Sequence, residues 1–135
     1  MYMTRTLAVL LSLLVLTLAA TGCRGDDAAK VTTERALAPI DSAAIRVAES
    51  APPQYFLDVA SGLPSGCARY DRTEVTRAGT TITVKVWNVL ETPAGGACTA
   101  IYGTRTEAVV LGTDFVRGTA YTVQVNDEVK TFVAQ

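Results

Sequence analysis

The feature that most constrains the fold of this chain is a series of short runs in which apolar and polar residues alternate. The clearest run spans 80–90, where Ile82, Val84 and Val86 fall on one face of a predicted strand. Comparable runs recur about every ten residues and are separated by turn-forming residues. This spacing predicts an all-β domain, an antiparallel immunoglobulin-like β-sandwich of about seven strands, with a small barrel as the alternative.

The remaining runs set the expected limits of the domain. Further strands are expected at 45–49, 54–61, 67–78, 98–102, 107–112, 119–125 and 129–133, with a tight turn at Asn126-Asp127 between the last two. Residues 24–44 contain Pro39 and no sustained alternation, so 23–44 is interpreted as a lipidated N-terminus and flexible tether, with a short helix at 33–38 as an option. The sandwich is therefore predicted to span 45–135.

The amino-terminal 22 residues have the order of a secretory signal. Arg5 precedes an uncharged, leucine-rich run at 7–20, which is shorter than the ~20 residues needed to span a membrane. The segment closes with Leu18-Ala19-Ala20-Thr21-Gly22-Cys23, which resembles the lipobox of bacterial lipoproteins. The resemblance implies cleavage after Gly22 and a lipid on Cys23. The alternatives are cleavage at a nearby Ala-x-Ala-like site and retention of the run as an uncleaved helix.

A lipid on Cys23 would hold the protein in the cell envelope, on a membrane and outside the cytoplasm, because two acyl chains give stable attachment. Cys67 and Cys98 then remain as a pair, which an oxidising compartment favours joining in a disulfide. The alternative for this pair is a redox-active or metal-binding role. That alternative lacks a CxxC spacing and a histidine to complete a zinc site.

Composition weighs against several classes of function. The chain contains no histidine, which removes the usual general base and the usual zinc nitrogen ligand. We therefore expect no enzymatic activity, no cofactor and no metal. Loss of the signal would remove only Arg5 among the charged residues, leaving 11 basic and 13 acidic side chains. This near-neutral balance, without a basic run, argues against a nucleic-acid partner.

A set of ordered motifs covers about half of the chain. It comprises Leu63-Pro64-x-Gly66-Cys67, Thr80-x-Ile82-Thr83-Val84, Cys98, Val110-Leu111-Gly112, and Gly118-x-x-Tyr121-x-Val123-x-Val125-Asn126 followed by Phe132. In their order and spacing these motifs resemble a family of bacterial envelope lipoproteins that carry a cystine-linked immunoglobulin-like β domain. The resemblance implies a disulfide-linked sandwich with no established activity.

The favoured functional hypothesis is a non-catalytic surface module that recognises an envelope protein or glycan. Loops at one end of the sandwich would form the contact surface, with 91–97 and 113–118 as candidates. The candidate binding residues are Trp87, Glu91, Phe115 and Arg117. Trp87 falls on the face opposite Ile82, so it is either covered by another element or exposed. Aromatic residues in such strand patterns are more often part of the core than ligand platforms.

Two other classes of function are weighed against this hypothesis. A peptidase inhibitor is one, because Trp87 and the Gly95-Gly96 loop superficially resemble chagasin-like inhibitors, although the ordered motifs of that family are missing. A hydrolase is the other, and it would have to use scattered carboxylates, namely Asp58, Asp71, Glu74, Glu107 and Asp114. Charged residues on strands more often form a solvated face, so catalysis is the least favoured hypothesis.

Overall fold

The computed structural model describes residues 30–135, and every regular element in this range is a β-strand. The strands are β1 Thr32–Leu37, β2 Ile40–Ala48, β3 Gln54–Leu63, β4 Ala68–Ala78, β5 Thr81–Thr92, β6 Gly103–Gly112, β7 Ala120–Val125 and β8 Glu128–Val133. They form two packed sheets, which confirms the predicted β-sandwich, with eight strands where about seven were expected. Within the described range, no helix suited to crossing a membrane is found. The predicted signal, the lipobox and Cys23 lie outside the described residues.

The core lies between the two sheets and follows the alternation seen in the sequence. Ile82, Val84 and Val86 of β5 are all buried, as the pattern predicts. They belong to one cluster with inward-facing residues of β3 and β7: Tyr55, Leu57, Val59, Tyr121, Val123 and Val125. The burial of these side chains is the main favourable contribution to folding.

Strand β5 is the central strand of the larger sheet and pairs with three other strands. Strand β4 pairs along one of its edges, and two strands share the other edge. There β1 pairs antiparallel with residues 87–92, and β7 pairs parallel with residues 81–84, while β8 extends the sheet beyond β7. The prediction of a purely antiparallel sheet is therefore wrong for one pair, because β1 and β7 enter from opposite ends of β5. The smaller sheet has the order β2-β3-β6.

Strands β1 and β2 correct the predicted tether over 23–44 from Thr32 onward, while its residues 23–29 lie outside the described range. Strand β1 is exposed along its whole length, so it has no apolar face for the sequence pattern to reveal, and pairing with the main chain of β5 holds it. Strand β2 begins at Ile40, five residues earlier than expected, because the small Ala43 takes an inward position. The sandwich therefore starts at Thr32, and the helix considered at 33–38 is wrong.

The strand predicted at 98–102 is also not formed. Residues 93–102 make an irregular connection, and β6 begins at Gly103. The Tyr102 ring lies across the outward side of Gly62, where an added Cβ would come within 1.7 Å of the Tyr102 hydroxyl. That hydroxyl donates a hydrogen bond of 2.6 Å to Asp41. These contacts hold the Tyr102 side chain outside the smaller sheet.

Cys67 and Cys98 form the predicted disulfide. The bond joins the β3–β4 connection to the β5–β6 connection across a sequence separation of 31 residues. Main-chain hydrogen bonds reinforce this junction, since Gly66 donates to Thr99 and Glu91 donates to Cys67. Closing a loop of this length contributes about 3–4 kcal/mol in a chain-entropy treatment, which is a large share of the stability of a small domain.

The Asn126 side chain closes the gap that β1 and β7 leave on the edge of β5. Its oxygen accepts a hydrogen bond of 2.9 Å from the Val86 amide, and its nitrogen donates to the carbonyls of Ala38 at 2.7 Å and Val86 at 3.1 Å. The side-chain amide thus stands in for the peptide group of a continuous strand. Asn126 has a φ of 49°, a conformation that asparagine tolerates well, and it forms the predicted β7–β8 turn with Asp127.

Replacing Asn126 with glycine is expected to lower the free energy of unfolding by about 2–4 kcal/mol, because it removes three hydrogen bonds and leaves the Val86 amide without its partner. Glycine accepts the positive φ, so the loss reports the side-chain amide and not backbone strain. Urea denaturation measures the change. The matched control is Asp127→Gly at the exposed next position, which should stay within about 1 kcal/mol of the parent. Equal losses in both variants would contradict the assignment.

Candidate functional site

The outward side of β5 carries the tryptophan that the sequence singles out. Trp87 is half-buried there, beside Leu37 on β1 and Arg72 on β4, which are its cross-strand neighbours in the register. Glu74 and Lys85 form the next cross-strand pair on the same face. We call this surface, made by these five side chains, the Trp87 face. Leu37 keeps 46% of its surface exposed, so the face offers apolar area beside charged groups.

The Trp87 indole is held by hydrogen bonding and by a neighbouring cation. Its Nε1 donates to Glu74 Oε2 at 3.1 Å, and the other oxygen of Glu74 accepts a hydrogen bond of 2.7 Å from Arg72 Nε. The Arg72 guanidinium lies 5.4 Å from the centroid of the Trp87 ring. The three side chains therefore hold one another in place. Such preorganisation reduces the entropy lost on binding.

A β-bulge explains how the charged groups reach this surface. The register of β4 against β5 shifts between Tyr70 and Arg72, so Asp71 is an extra residue in β4. The Asp71 carboxylate contacts Arg72 and also accepts a hydrogen bond of 3.1 Å from Arg35 on β1. Bulges commonly re-aim side chains in this way. As a result, positive and negative side chains alternate beside Trp87. They run from Arg35 on β1 to Asp71, Arg72 and Glu74 on β4.

The charges around Glu74 shift its ionisation. Hydrogen bonding from Arg72, then from the Trp87 indole, together with the positive charges of Arg72 and Lys85, lowers the pKa of Glu74 below its ordinary value of 4.5. The same hydrogen bond raises the pKa of Arg72. Glu74 therefore stays ionised to lower pH than a free glutamate. Its ion pair stabilises the fold above the unfolded-state pKa and is lost as pH falls through the folded-state pKa.

Trp87 is the only tryptophan of the chain, so its fluorescence should report this titration. Protonation of Glu74 weakens the acceptor for the indole, and we expect an emission change with a midpoint below pH 4.5. Glu74→Gln should abolish the transition, because the amide does not titrate. Glu91→Gln, on β5 with Trp87, is the matched control and should leave the transition in place. A transition that survives in Glu74→Gln would contradict the assignment to Glu74.

Glu91 lies on the same side of β5 as Trp87, four residues further along the strand. Its carboxylate lies 3.5 Å from the guanidinium of Arg69, the neighbouring residue on the edge of β4. Both side chains are largely exposed, so the pair contributes little to stability. Trp87 and Glu91 are thus two of the predicted binding residues that do share a surface.

Phe115 and Arg117 lie elsewhere, in the connection between β6 and β7. Strand β6 runs from one end of the sandwich to the other, so the connection before it and the connection after it lie at opposite ends. The prediction that 91–97 and 113–118 share one end is therefore wrong. The structure does not bring the four candidate residues together, and Arg117 is exposed at the far end.

Phe115 takes part in the closure of the core at that end. Its ring packs at 4.8 Å from Tyr55, 4.9 Å from Tyr121 and 5.2 Å from Phe132, measured between centroids. The Arg77 guanidinium lies 4.5 Å from the same centroid. The Phe115 ring thus packs against three aromatic rings and a cation at the edge of the core. This agrees with the expectation that aromatic residues in these patterns more often belong to the core.

The carboxylates considered for catalysis are each paired with an arginine. The pairs are Asp58 with Arg46, Asp71 with Arg35 and Arg72, Glu74 with Arg72, Glu107 with Arg105, and Asp114 with Arg77. Hydrogen bonding from Arg46 lowers the pKa of Asp58, whereas a general acid near neutral pH needs a raised pKa. Within residues 30–135, no group of three or more histidine, cysteine or acidic side chains is placed to hold a metal ion.

Sequence reasoning missed a polar cluster between the open edges of β4 and β6. Arg105 lies 3.6 Å from the centroid of the Tyr70 ring and forms an ion pair of 2.8 Å with Glu107. Glu107 also accepts a hydrogen bond from Thr73 of the opposite sheet. These side chains join the two sheets where the apolar core stops. The alternation in Thr104-Arg105-Thr106-Glu107 could have indicated this part of β6. It was missed because the inward-facing residues, Arg105 and Glu107, are charged and not apolar.

The outer face of the smaller sheet carries a shallow trough of about 450 Å³. Its floor is made by small side chains, including Ala44, Ala60 and Ala108, and Asp58 lines it while engaged with Arg46. A specific ligand site usually needs several convergent polar groups. The trough is therefore a weaker candidate than the Trp87 face.

The two sheets and the cystine define a small disulfide-bonded β-sandwich domain. A family model described as the ORF11 beta-sandwich domain matches residues 57–134, which run from within β3 to just beyond β8. The chain belongs to this family of β-sandwich domains. Strands β1 and β2 precede the matched range. Comparison with curated proteins and comparison with solved structures each gave no match.

Proposed function

We propose that this protein is a lipoprotein of the cell envelope whose β-sandwich is a non-catalytic binding module. It would bind another envelope component through the Trp87 face, a protein in preference to a glycan. The observation that carries this proposal is the fixed arrangement of Trp87, Glu74 and Arg72 on an outward sheet face. The proposed module requires neither a nucleic acid nor a cofactor.

The cysteines support the anchoring part of the proposal. Cys67 and Cys98 satisfy each other in the described domain, so Cys23 is needed for neither. Cys23 follows the small residues of the lipobox-like segment and precedes Thr32, where β1 begins, by nine positions. A diacylated cysteine at this position would keep the sandwich close to a membrane outside the cytoplasm.

The composition of the Trp87 face favours a protein partner. Tryptophan and arginine are enriched among the residues that contribute most to protein–protein affinity. Leu37 adds exposed apolar area next to them. A sugar would need an open aromatic face on which to stack, whereas the Arg72 guanidinium already lies near the Trp87 ring. A partner that contacts the arginine and the ring together suits this arrangement better.

The geometry gives less support to the peptidase-inhibitor alternative. That hypothesis requires Trp87 and the Gly95-Gly96 loop to be presented together at one end of the domain. Trp87 instead lies within β5, five residues before the strand ends, and its indole points along the sheet surface toward Glu74. Gly95 and Gly96 follow the end of the strand. A binding module that uses the sheet face agrees better with this placement.

Photo-crosslinking in intact cells tests the proposed function. A photoreactive amino acid at Lys85, an exposed position of the Trp87 face, is expected to give a discrete adduct of higher mass on illumination. The adduct should decrease at least roughly tenfold when Trp87→Ala is added, as expected for loss of a tryptophan anchor. A glycan partner would give a heterogeneous smear sensitive to glycosidases.

Val110 provides the matched control for this experiment, because it is 54% exposed on the outer face of the other sheet. The photoreactive residue at Val110 should not give the Lys85 adduct. The same adduct from both positions, or an adduct from Lys85 that is unaffected by Trp87→Ala, would contradict binding through the Trp87 face. Protein levels and the Cys67–Cys98 bond are measured in parallel to confirm that each variant is folded.

A further inference from the structure

We propose that one end of the sandwich rests on the surface of the membrane that holds the lipid anchor. This end, called here the disulfide end, is formed by residues 62–68 and 92–104 around the Cys67–Cys98 bond. The inference rests on the proposed lipidation of Cys23. It adds a second contact surface, whose partner is the headgroup region of a phospholipid bilayer, and it fixes the orientation of the Trp87 face.

The direction of β1 determines which end of the sandwich the anchor joins. Thr32, the first residue of β1, pairs with Thr92, the last residue of β5. Cys67 accepts a main-chain hydrogen bond from the residue just before Thr92, so the disulfide lies at the same end. The chain that leads back to Cys23 therefore leaves the domain beside the disulfide. The 113–119 connection and the carboxyl terminus lie at the opposite end.

The linking segment is short compared with the domain. Residues 24–31 separate Cys23 from Thr32, and a fully extended chain of this length spans at most about 30 Å. Strand β5 has 12 residues and is about 40 Å long. The disulfide end must then stay within about 30 Å of the anchored cysteine. A lipid on Cys23 therefore keeps this end at high local concentration next to the bilayer.

The disulfide end is chemically suited to a bilayer surface. Residues 62–68 and 92–104 include no charged side chain. Ile101 and Tyr102 are 69% and 52% exposed there, so an aliphatic and an aromatic group face outward. Apolar and amphipathic aromatic side chains of this kind are favoured at the boundary between headgroups and acyl chains. Contact with the bilayer would remove exposed apolar surface, and the Asp41 carboxylate beside these residues already accepts hydrogen bonds from Tyr102 and Thr104.

The opposite end has the contrasting character. Its connections carry Arg77 at the end of β4 and Asp114 and Arg117 between β6 and β7. Asp114 is largely exposed in its ion pair with Arg77. Burial of such groups against a bilayer would cost desolvation. With the disulfide end on the membrane, this charged end points away, and the Trp87 face stands along the side of the domain where an envelope protein can reach it.

Depth-dependent fluorescence quenching tests the contact. The full protein extracted from the cell envelope, carrying Trp87→Phe to remove the native signal, is prepared with Ile101→Trp or with Val116→Trp and reconstituted into phosphatidylcholine liposomes with brominated acyl chains. Val116 is the matched control, since it is 66% exposed at the opposite end. We expect a roughly twofold loss of emission at position 101 and no appreciable loss at 116, because interfacial side chains reach ~5–10 Å into the headgroup and acyl boundary.

Flotation of the same samples tests the lipid anchor separately from the contact between the disulfide end and the bilayer. A protein that does not float with the liposomes refutes the proposed lipidation and the membrane contact together. A protein that floats, yet shows no more quenching at 101 than at 116, leaves the anchor intact and overturns only the contact.

Amide hydrogen exchange provides a second test that needs no tryptophan substitution. The unsubstituted lipidated protein on liposomes is compared with the Cys23→Ser protein in solution. Slower exchange at residues 98–102, with unchanged exchange at 113–118, supports the contact. Equal rates at 98–102 in the two samples overturn it.

Discussion

The arrangement of the larger sheet depends on one side-chain amide. Strand β5 has two partners on the same edge, β1 and β7, which approach from opposite ends and leave a gap between them. Asn126 fills this gap by bonding to Val86 in both directions and to Ala38. Without it, polar main-chain groups in the middle of the sheet would lack partners, which is costly in a buried position. Residues far apart in the sequence are thus tied together at one point.

The same point determines how the chain passes between the sheets. Strand β1 ends beside Asn126, and the chain then crosses to the smaller sheet through the buried Ala38 and through Pro39, whose carbonyl accepts a hydrogen bond from Gly62. Because β1 stops in the middle of β5, its first residue lies at the disulfide end. The direction from which the amino-terminal segment reaches the domain is therefore a consequence of this crossing. In the proposed lipoprotein, that crossing also decides which end of the sandwich faces the membrane.

Much of the fold could be predicted from alternation, and the misses have physical causes. Strands β3, β5 and β7 bury one apolar face, which gives a clear period of two. Strand β1 buries neither face, and the start of β6 turns Arg105 inward, so neither has that signal.

For the candidate site, the alternation placed Trp87 on the outward face of β5. It could not identify Glu74 and Arg72 as its neighbours, because the register of β4 and the bulge at Asp71 are set by pairing between distant strands.

The proposed lipoprotein combines a cystine-linked sandwich, a short connection to a lipidated cysteine and a preorganised tryptophan on the side of the domain. In that protein the three cysteines divide between the lipid and the disulfide. Intact-mass and fragmentation analysis of the protein extracted from the envelope measures that division directly. We expect a chain that begins at Cys23 with a diacylglyceryl group on its thiol, and a bond between Cys67 and Cys98. A chain that begins elsewhere, an unacylated Cys23, or a disulfide that includes Cys23 would contradict this expectation.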